Sequence, residues 1–340
     1  MCKRILASQT NTEEGVPFYK IGTIGNAPDA YISKELFDDY KTKYNYPHKG
    51  EVMITCAGTV GKCVIYDGKD AYYQDSNIVW IDNPSQCISN SFLYHLLAKV
   101  DWRKLNSTTI IRIYNDDLRN LKLSYPQIEE QQKISRLLSF LDERIATQNK
   151  IIDKLQSLIK GIRNDVYGKL RKSVGFNAMI SDVLSYEQPQ PYIVENTEYT
   201  AEGIPVLTAN KAFVLGYTSE INGIYDKGDC IIFDDFTLDC KYVEFPYKIK
   251  SSAIKILTAK NKELLRYTFE FLKYLDLSTE EHKRHYIAET QNQEFILPTM
   301  HIVSTIAHAF SALSLRMESV VKQRNMFETQ KQYLLRQMFI

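Results

Sequence analysis

Gly58–Lys62, "GTVGK", brings two glycines, a threonine hydroxyl and a lysine together at the spacing that closes a phosphate-binding loop. Such a loop needs GxxxxGK followed by Ser or Thr, set between a strand and a helix. Here Cys56 and Ala57 stand near the place of the first glycine, and Cys63 replaces the magnesium-binding hydroxyl. The next residues, "CVIYDG", read as a strand running into an Asp-Gly turn, not as a helix. The pattern argues against a nucleotide cradle and predicts a strand–turn–strand corner. Thr59 and Lys62 then sit at its tip, with groups suited to the phosphate oxygens of a nucleic-acid backbone. A tight hairpin with a solvated lysine is the plainer alternative.

The neighbouring "YYQDSN" is denser in hydrogen-bonding chemistry. Gln74 and Asn77 carry amides that pair bidentately with adenine, Asp75 can accept from cytosine, and Ser76 can go to either. Tyr72 and Tyr73 offer flat rings with polar tips. "STTIIRIYNDD" adds Thr108, Thr109, Arg112, Tyr114 and Asn115. Further along, the candidates are Thr208, Asn210 and Lys211, then Lys248 and Lys250, then Lys283, Arg284 and Tyr286. A polar, aromatic protein–protein rim would share this composition.

No catalytic constellation accompanies these groups. The histidines (His48, His95, His282, His285, His301 and His308) form no HExxH pattern, and there is no GxSxG. A glycine-rich methyltransferase cofactor loop and its Asn/Asp-Pro-Pro-Tyr partner are absent too. Six cysteines, too far apart for a CxxC pair, predict no zinc site and fit a reducing cytoplasm. No run approaches the ~18 apolar residues of a membrane span. "MCKRILASQTNTEEG" has no apolar core of a secretory signal.

The elements that must position these residues repeat. "EEGVPFYKIG" and "AEGIPVLTAN" each set Gly-Val/Ile-Pro before a strand-like run. Each is followed by a glycine-acid turn into a strand, "GEVMITC" and "GDCIIFD", then by a helical stretch, then by a short run ending at Pro126 or Pro298. After each proline comes a long helix pattern. Ile134, Leu138, Leu141, Ile145, Ile152 and Leu155 form a heptad seam in the first. Ile306, Phe310, Leu313 and Met317 follow 172 residues later in the second, where Arg324 and Lys331 interrupt the seam. That second helix is expected to lean on the first, or on another subunit. The net charge of +1 hides an asymmetry. Lys+Arg against Asp+Glu is 15 to 14 over residues 1–125, 10 to 6 over 126–172, 12 to 19 over 173–297 and 5 to 2 over 298–340. Bulk charge alone would not hold nucleic acid, so local patches and other subunits would have to contribute.

The predicted class is α+β: two similar mixed α/β domains joined by two long antiparallel coiled-coil helices, as a pseudo-two-fold internal repeat. With the duplicated layout, "GEVMITCAGTVGKCVIYDGKDAYYQDSNIVWI" and the P-x-x-x-E-Q start of the first helix, Pro126 to Gln131, followed by "LSFLDERI", the chain resembles the DNA specificity (S) subunits of type I restriction–modification systems. The second copy lacks the Glu-Gln pair, with Val303 and Ser304 nearby. The resemblance implies target recognition domains at 1–125 and 173–297, each reading one half of a bipartite double-stranded DNA target. It implies spacer helices at 126–172 and 298–340 that dock two modification (methyltransferase) subunits. Those subunits would carry S-adenosylmethionine, restriction subunits would join them, and this chain would hold no cofactor, metal or catalytic residue. Only fourteen residues precede Gly15, against about thirty between the first helix pattern and Gly203, so the first domain is expected to be clipped. The residues alone leave open a non-catalytic coiled-coil scaffold that binds proteins rather than DNA.

Overall fold

The computed structural model describes residues 1–102, 104, 112–209, 212–279, 281 and 283–338. They form two units: residues 1–147 with 324–340, and residues 148–323.

In the first unit, β1 (Val16–Tyr19) pairs antiparallel with β2 (Tyr31–Ile32), and α1 (Lys34–Lys43) follows. β3 (Val52–Thr55) pairs antiparallel with β4 (Cys63–Ile65), so the "GTVGK" corner is the expected strand–turn–strand. β5 (Tyr72–Tyr73) runs parallel to β1, giving the order β2-β1-β5. β6 (Ile78–Ile81) returns beside β3 to make β4-β3-β6. α2 (Asn90–Lys99) starts at Ser89, whose Oγ accepts from Phe92 N at 3.3 Å. A short α3 (Asn115–Arg119) precedes α4 (Ile128–Ser173), whose second half belongs to the second unit.

The second unit repeats the plan. β7 (Ala178–Met179), α5 (Ile180–Val183) and β8 (Leu184–Glu187) come first. β9 (Ile204–Leu207), β10 (Val214–Thr218), β11 (Cys230–Asp234), β12 (Cys240–Val243), β13 (Lys248–Ile249) and β14 (Ile254–Ala259) then match β1 to β6. Their sheets run β10-β9-β13 and β12-β11-β14, the latter extended by β8. α6 (Lys262–Leu275) starts at Asn261, β15 (Glu294–Phe295) pairs with β7, and α7 (Met300–Met338) is the last element in chain order. The reason for the repeated glycine is steric. A Cβ on Gly15 would stand 2.4 Å from Ile32 O, and one on Gly203 would stand 2.4 Å from Thr218 O. Their φ values, +130° and +129°, are equally closed to other residues.

α4 and α7 run antiparallel within each unit. In the first, Lys331 Nζ meets Asp142 Oδ1 at 2.5 Å, and Leu138 and Leu335 share one core cluster with Phe92 and Leu96. In the second, Gln148 Nε2 donates to Gln323 Oε1 at 3.4 Å, and Arg163 lies over the Phe310 ring. Leu138, Leu141, Ile152 and Phe310 are buried, while Ile134, Ile145, Leu155, Ile306, Leu313 and Met317 are half-buried, so the heptad seam faces inward. The charge at Lys331 is accommodated by Asp142 across the pair. Among the described residues no helix is long and apolar enough to cross a membrane.

Gln131 explains the Pro126–Gln131 motif. Fully buried, it accepts from Ser89 N at 2.8 Å and donates to Cys87 O and Pro126 O, each at 2.9 Å. One side chain thus ties the start of α4 to the start of α2. In the second unit the corresponding Val303 fills its place by apolar packing.

His95, 1% exposed on α2, carries an unpartnered Nδ1. Burial pushes its pKa down to about 4, against a smaller opposing pull from Asp142. Below about pH 6.5 the unfolded chain takes up a proton that the folded unit refuses. Stability of the first unit is therefore expected to fall by roughly 2 kcal/mol between pH 6.5 and pH 4 from this group, and to be flat above pH 7. Both tryptophans, Trp80 and Trp102, lie in this unit, so urea titrations by fluorescence read it directly. His95→Leu should flatten the slope; an unchanged slope would show that carboxylates alone cause it.

Candidate functional site

In the first unit, three segments converge around Ile21. Thr59 Oγ1 donates to Ile21 O at 3.0 Å, and Gln74 Oε1 accepts from Ile21 N at 3.2 Å. The corner after β3 and the turn after β5 are thereby clamped onto the loop after β1. Gly58 and Gly61 take φ of +66° and +84°, and a Cβ on Gly61 would strike the Trp102 ring at 2.2 Å. Inside the corner, Thr55 Oγ1 donates to Thr59 O. Lys62 is half-buried, with its Nζ beside Gly25 of the same loop, and no carboxylate among the described residues pairs with it. The element after Lys62 is β4, so no helix begins at this corner as one does after a phosphate-binding loop.

Ser76, exposed, adopts φ of +53°, and its carbonyl accepts from Arg112 Nη2 at 3.3 Å. Arg112 also lies against the Tyr114 ring, and Tyr114 and Asn115 are exposed. Asp75 and Asn77 are half-buried, and Asn77 O accepts from Cys56 N at 2.7 Å. Thr59, Lys62, Gln74, Asp75, Ser76, Asn77 and Arg112 thus lie on one connected set of loops. Thr108 and Thr109 lie outside the described residues.

Tyr72 and Tyr73 do not present their rings. Tyr72 is 1% exposed among Phe37, Tyr40 and Tyr46, and Tyr73 stacks on Tyr19 at 5.9 Å. The physical reason is that β5 pairs with the central strand β1 and is buried on both faces.

The second unit separates its candidates more sharply. Lys250 and Arg284 are exposed and carry no ion pair among the described residues. Lys248, by contrast, is 3% exposed, pairs with Glu220 at 2.5 Å and donates to Asn222 O at 2.7 Å. Glu220 sits below the usual carboxylate range, first because Asn196 N donates to it and then because of Lys248. Lys248 is therefore a structural ion pair, not an open cation. Tyr286, 1% exposed, belongs to the core, its backbone N donating to Asp235 Oδ1 at 2.7 Å. Thr208 is buried as well. Lys283 is exposed but neutralised by Glu281 at 2.6 Å and Glu289 at 2.8 Å, which also raise its pKa. Asn210 and Lys211 lie outside the described residues.

Sequence reasoning missed Ile21, which both Thr59 and Gln74 hold, and Asp235, which positions the segment carrying Arg284. Ile21 holds Thr59 and Gln74 through its backbone C=O and N–H, which leaves no signal in residue type. Asp235 is legible only as part of an acidic turn.

Two copies of one mixed α/β module, each built against antiparallel helices and each offering polar loops beside its central strands, define an internally duplicated α+β scaffold. The profile of the type I restriction modification DNA specificity domain matches residues 1–157 of this chain. Over 160 residues the chain is 48% identical to a putative type I restriction enzyme specificity subunit of Haemophilus influenzae, covering 47% of this chain and 41% of that one. Over 126 residues it is 42% identical to a type I restriction enzyme specificity subunit of Escherichia coli, covering 35% of this chain and 31% of that one. The chain thus spans less than half the length of these curated relatives. The crystal structure of a type I restriction-modification system S subunit from M. genitalium has the same fold, with a TM-score of 0.66 and 16% identity over 100% of this chain and 92% of that one.

Proposed function

We propose that this chain is the DNA-reading subunit of a type I restriction–modification complex and performs no chemistry itself. Residues 1–125 and 173–297 each read one half of a bipartite double-stranded target. The helices of 126–172 and 298–340 set the gap and dock two modification subunits, which supply S-adenosylmethionine and methyl transfer; a restriction subunit joins that assembly. The observation that carries this reading is the duplication. Two modules of one topology place loops rich in amide, hydroxyl and cationic groups at the same edges of their sheets. Two half-sites call for two such readers, while a single active site would not. The acidic balance of 173–297 fits a complex in which the modification subunits help to grip the phosphates.

The test is equilibrium binding of the chain, assembled with its modification subunits, to a randomised duplex library. Selection of a bipartite sequence is expected, with log affinity falling linearly with log salt at roughly −0.9 per phosphate neutralised. Assembly with the protein partners and no sequence selection at any salt would favour a protein-docking scaffold and refute DNA reading.

A further inference from the structure

The hydrogen bonds that build the two modules also put their residues into register. Gln74 N donates to Tyr19 O at 2.9 Å, and Lys250 N donates to Leu207 O at 3.1 Å. Cys56 N donates to Asn77 O at 2.7 Å, and Asp235 N donates to Ala253 O at 2.8 Å. Ile113 N donates to Cys56 O at 2.9 Å, and His285 N donates to Asp235 O at 3.0 Å. The strand pairs agree, Phe18 facing Tyr72 as Val206 faces Lys248. In this register Gln74 corresponds to Lys250, Ser76 to Ser252, and Arg112 to Arg284. The same scaffold position holds an arginine in both modules, while the position after β5 or β13 holds an amide in one and an ammonium in the other.

Resting on the DNA-reading function proposed above, we propose a division of labour between these positions. Arg112 and Arg284 bind backbone phosphate in both half-sites, and Gln74 and Lys250 read a base, adenine for Gln74 and guanine for Lys250. A contact that both modules need regardless of sequence is one to the backbone, which every half-site shares. An arginine at one backbone-defined position serves it in each. Half-sites that differ in sequence require a difference in the same frame, and the first residue after the buried strand, half-buried Gln74 or exposed Lys250, provides it. Gln74 pairs its amide with adenine N6 and N7, and a lysine ammonium donates to guanine O6 and N7. The Ile21 N–H takes one lone pair of Gln74 Oε1 and so fixes which end of the amide is oxygen. A second lone pair and the Nε2 protons are left for the base. Lys250 is exposed at the corresponding place, with no carboxylate among the described residues to hold it.

The experiment uses the chain assembled with its modification subunits, on duplexes carrying the target found by methylome sequencing. Arg112→Gln and Arg284→Gln should each reduce the salt slope by about one, equally on cognate and scrambled half-sites. Loss confined to one base pair would overturn the phosphate assignment. Lys250→Gln should change the preferred base at one position of one half-site from guanine to adenine, by roughly tenfold, with the other half-site unaffected. Gln74→Lys should make the converse change in the other half-site. Gln74→Glu, which keeps the acceptor for Ile21 N, should lose the adenine preference with an unchanged melting profile. Retained preferences in folded variants, or uniform loss over all sequences, would overturn base reading by this pair. A wild-type assembly that selects no sequence would instead refute the DNA-reading function beneath it.

Discussion

Glu270→Ala is expected to lower the stability of the second unit by about 3–5 kcal/mol, the cost of leaving buried cations without their carboxylate. Glu270 lies on α6 and is 1% exposed. Its Oε2 accepts from Arg163 Nε and Nη2 at 2.9 and 2.7 Å, and its Oε1 accepts from Arg266 Nη2 at 2.8 Å. Arg266 Nη2 also donates to Phe310 O at 3.3 Å and to Ser314 Oγ. One carboxylate therefore holds α6 to α4 through Arg163 and to α7 through Arg266. Its removal strands two largely buried guanidinium groups, Arg163 over the Phe310 ring and Arg266 over the Tyr242 and Phe269 rings, where water replaces the lost partner poorly. Hydrogen exchange of α6 amides is the proper measurement, because neither tryptophan lies in the second unit. A cost below about 1 kcal/mol would mean that water reaches the site and that the network contributes little.

The first unit shows how the same contact is made without ions. At the corresponding places stand Tyr94, Ala98 and Leu335, and Leu335 packs with Phe92, Leu96 and Leu138. Replacing Arg163, Arg266 and Glu270 together with apolar residues of similar volume is accordingly expected to be far milder than Glu270→Ala.

Much of this architecture is legible in the amino-acid sequence, because it depends on local chemistry. Gly15 and Gly203 precede proline by two residues at the two places where a carbonyl crosses the backbone, and Ser89 and Asn261 stand 172 residues apart at the starts of α2 and α6. The seam from Ile134 to Leu155 needs only its spacing. The site is harder to read, for two reasons. The offset between modules drifts: Val16 matches Ile204, Thr55 matches Asp234, Ile78 matches Ile254 and Ser89 matches Asn261, at offsets of 188, 179, 176 and 172. α1 and loops of unequal length absorb the difference, so Gln74 and Lys250 both stand out as candidates while their equivalence stays hidden. Burial is the second obstacle. "YYQDSN" reads as a polar aromatic loop, yet its two tyrosines are in a strand paired with β1, more than fifty residues earlier. Lys248 sits in a basic run, but its charge is absorbed by Glu220, which lies across the module. Long-range pairing decides both, and periodicity over a few residues carries no record of it.

Asp235→Ala should combine a comparable loss of stability with a specific loss of recognition. Asp235 Oδ1 accepts from His285 N at 3.1 Å and from Tyr286 N at 2.7 Å, and its Oδ2 lies 3.4 Å from the buried Lys255 ammonium. Lys255 has one other partner among the described residues, Gln188 Oε1 at 3.0 Å. Alanine would orphan the Tyr286 amide and leave Lys255 without its counter-charge, at about 3–5 kcal/mol. The segment so released begins at Arg284, so the half-site read by the second module should weaken while the other is retained. Asp235→Asn separates the two effects. It keeps the Oδ1 acceptor that aims Arg284 but removes the charge, so it should lose stability and spare DNA binding at temperatures where the unit is folded. Fast exchange of the Tyr286 amide in Asp235→Ala, with slow exchange in Asp235→Asn, is the expected pattern; slow exchange in both would show that Asp235 does not hold this segment. The first module supplies the control. Its counterpart, Cys56, makes backbone bonds to Asn77 and Ile113, its thiol turns to Ile54 O of β3 at 4.0 Å, and Val79 stands where Lys255 does. Cys56→Ala should therefore leave both its module and its half-site nearly unchanged, because Cys56 joins the segment bearing Arg112 through its backbone carbonyl, which alanine keeps.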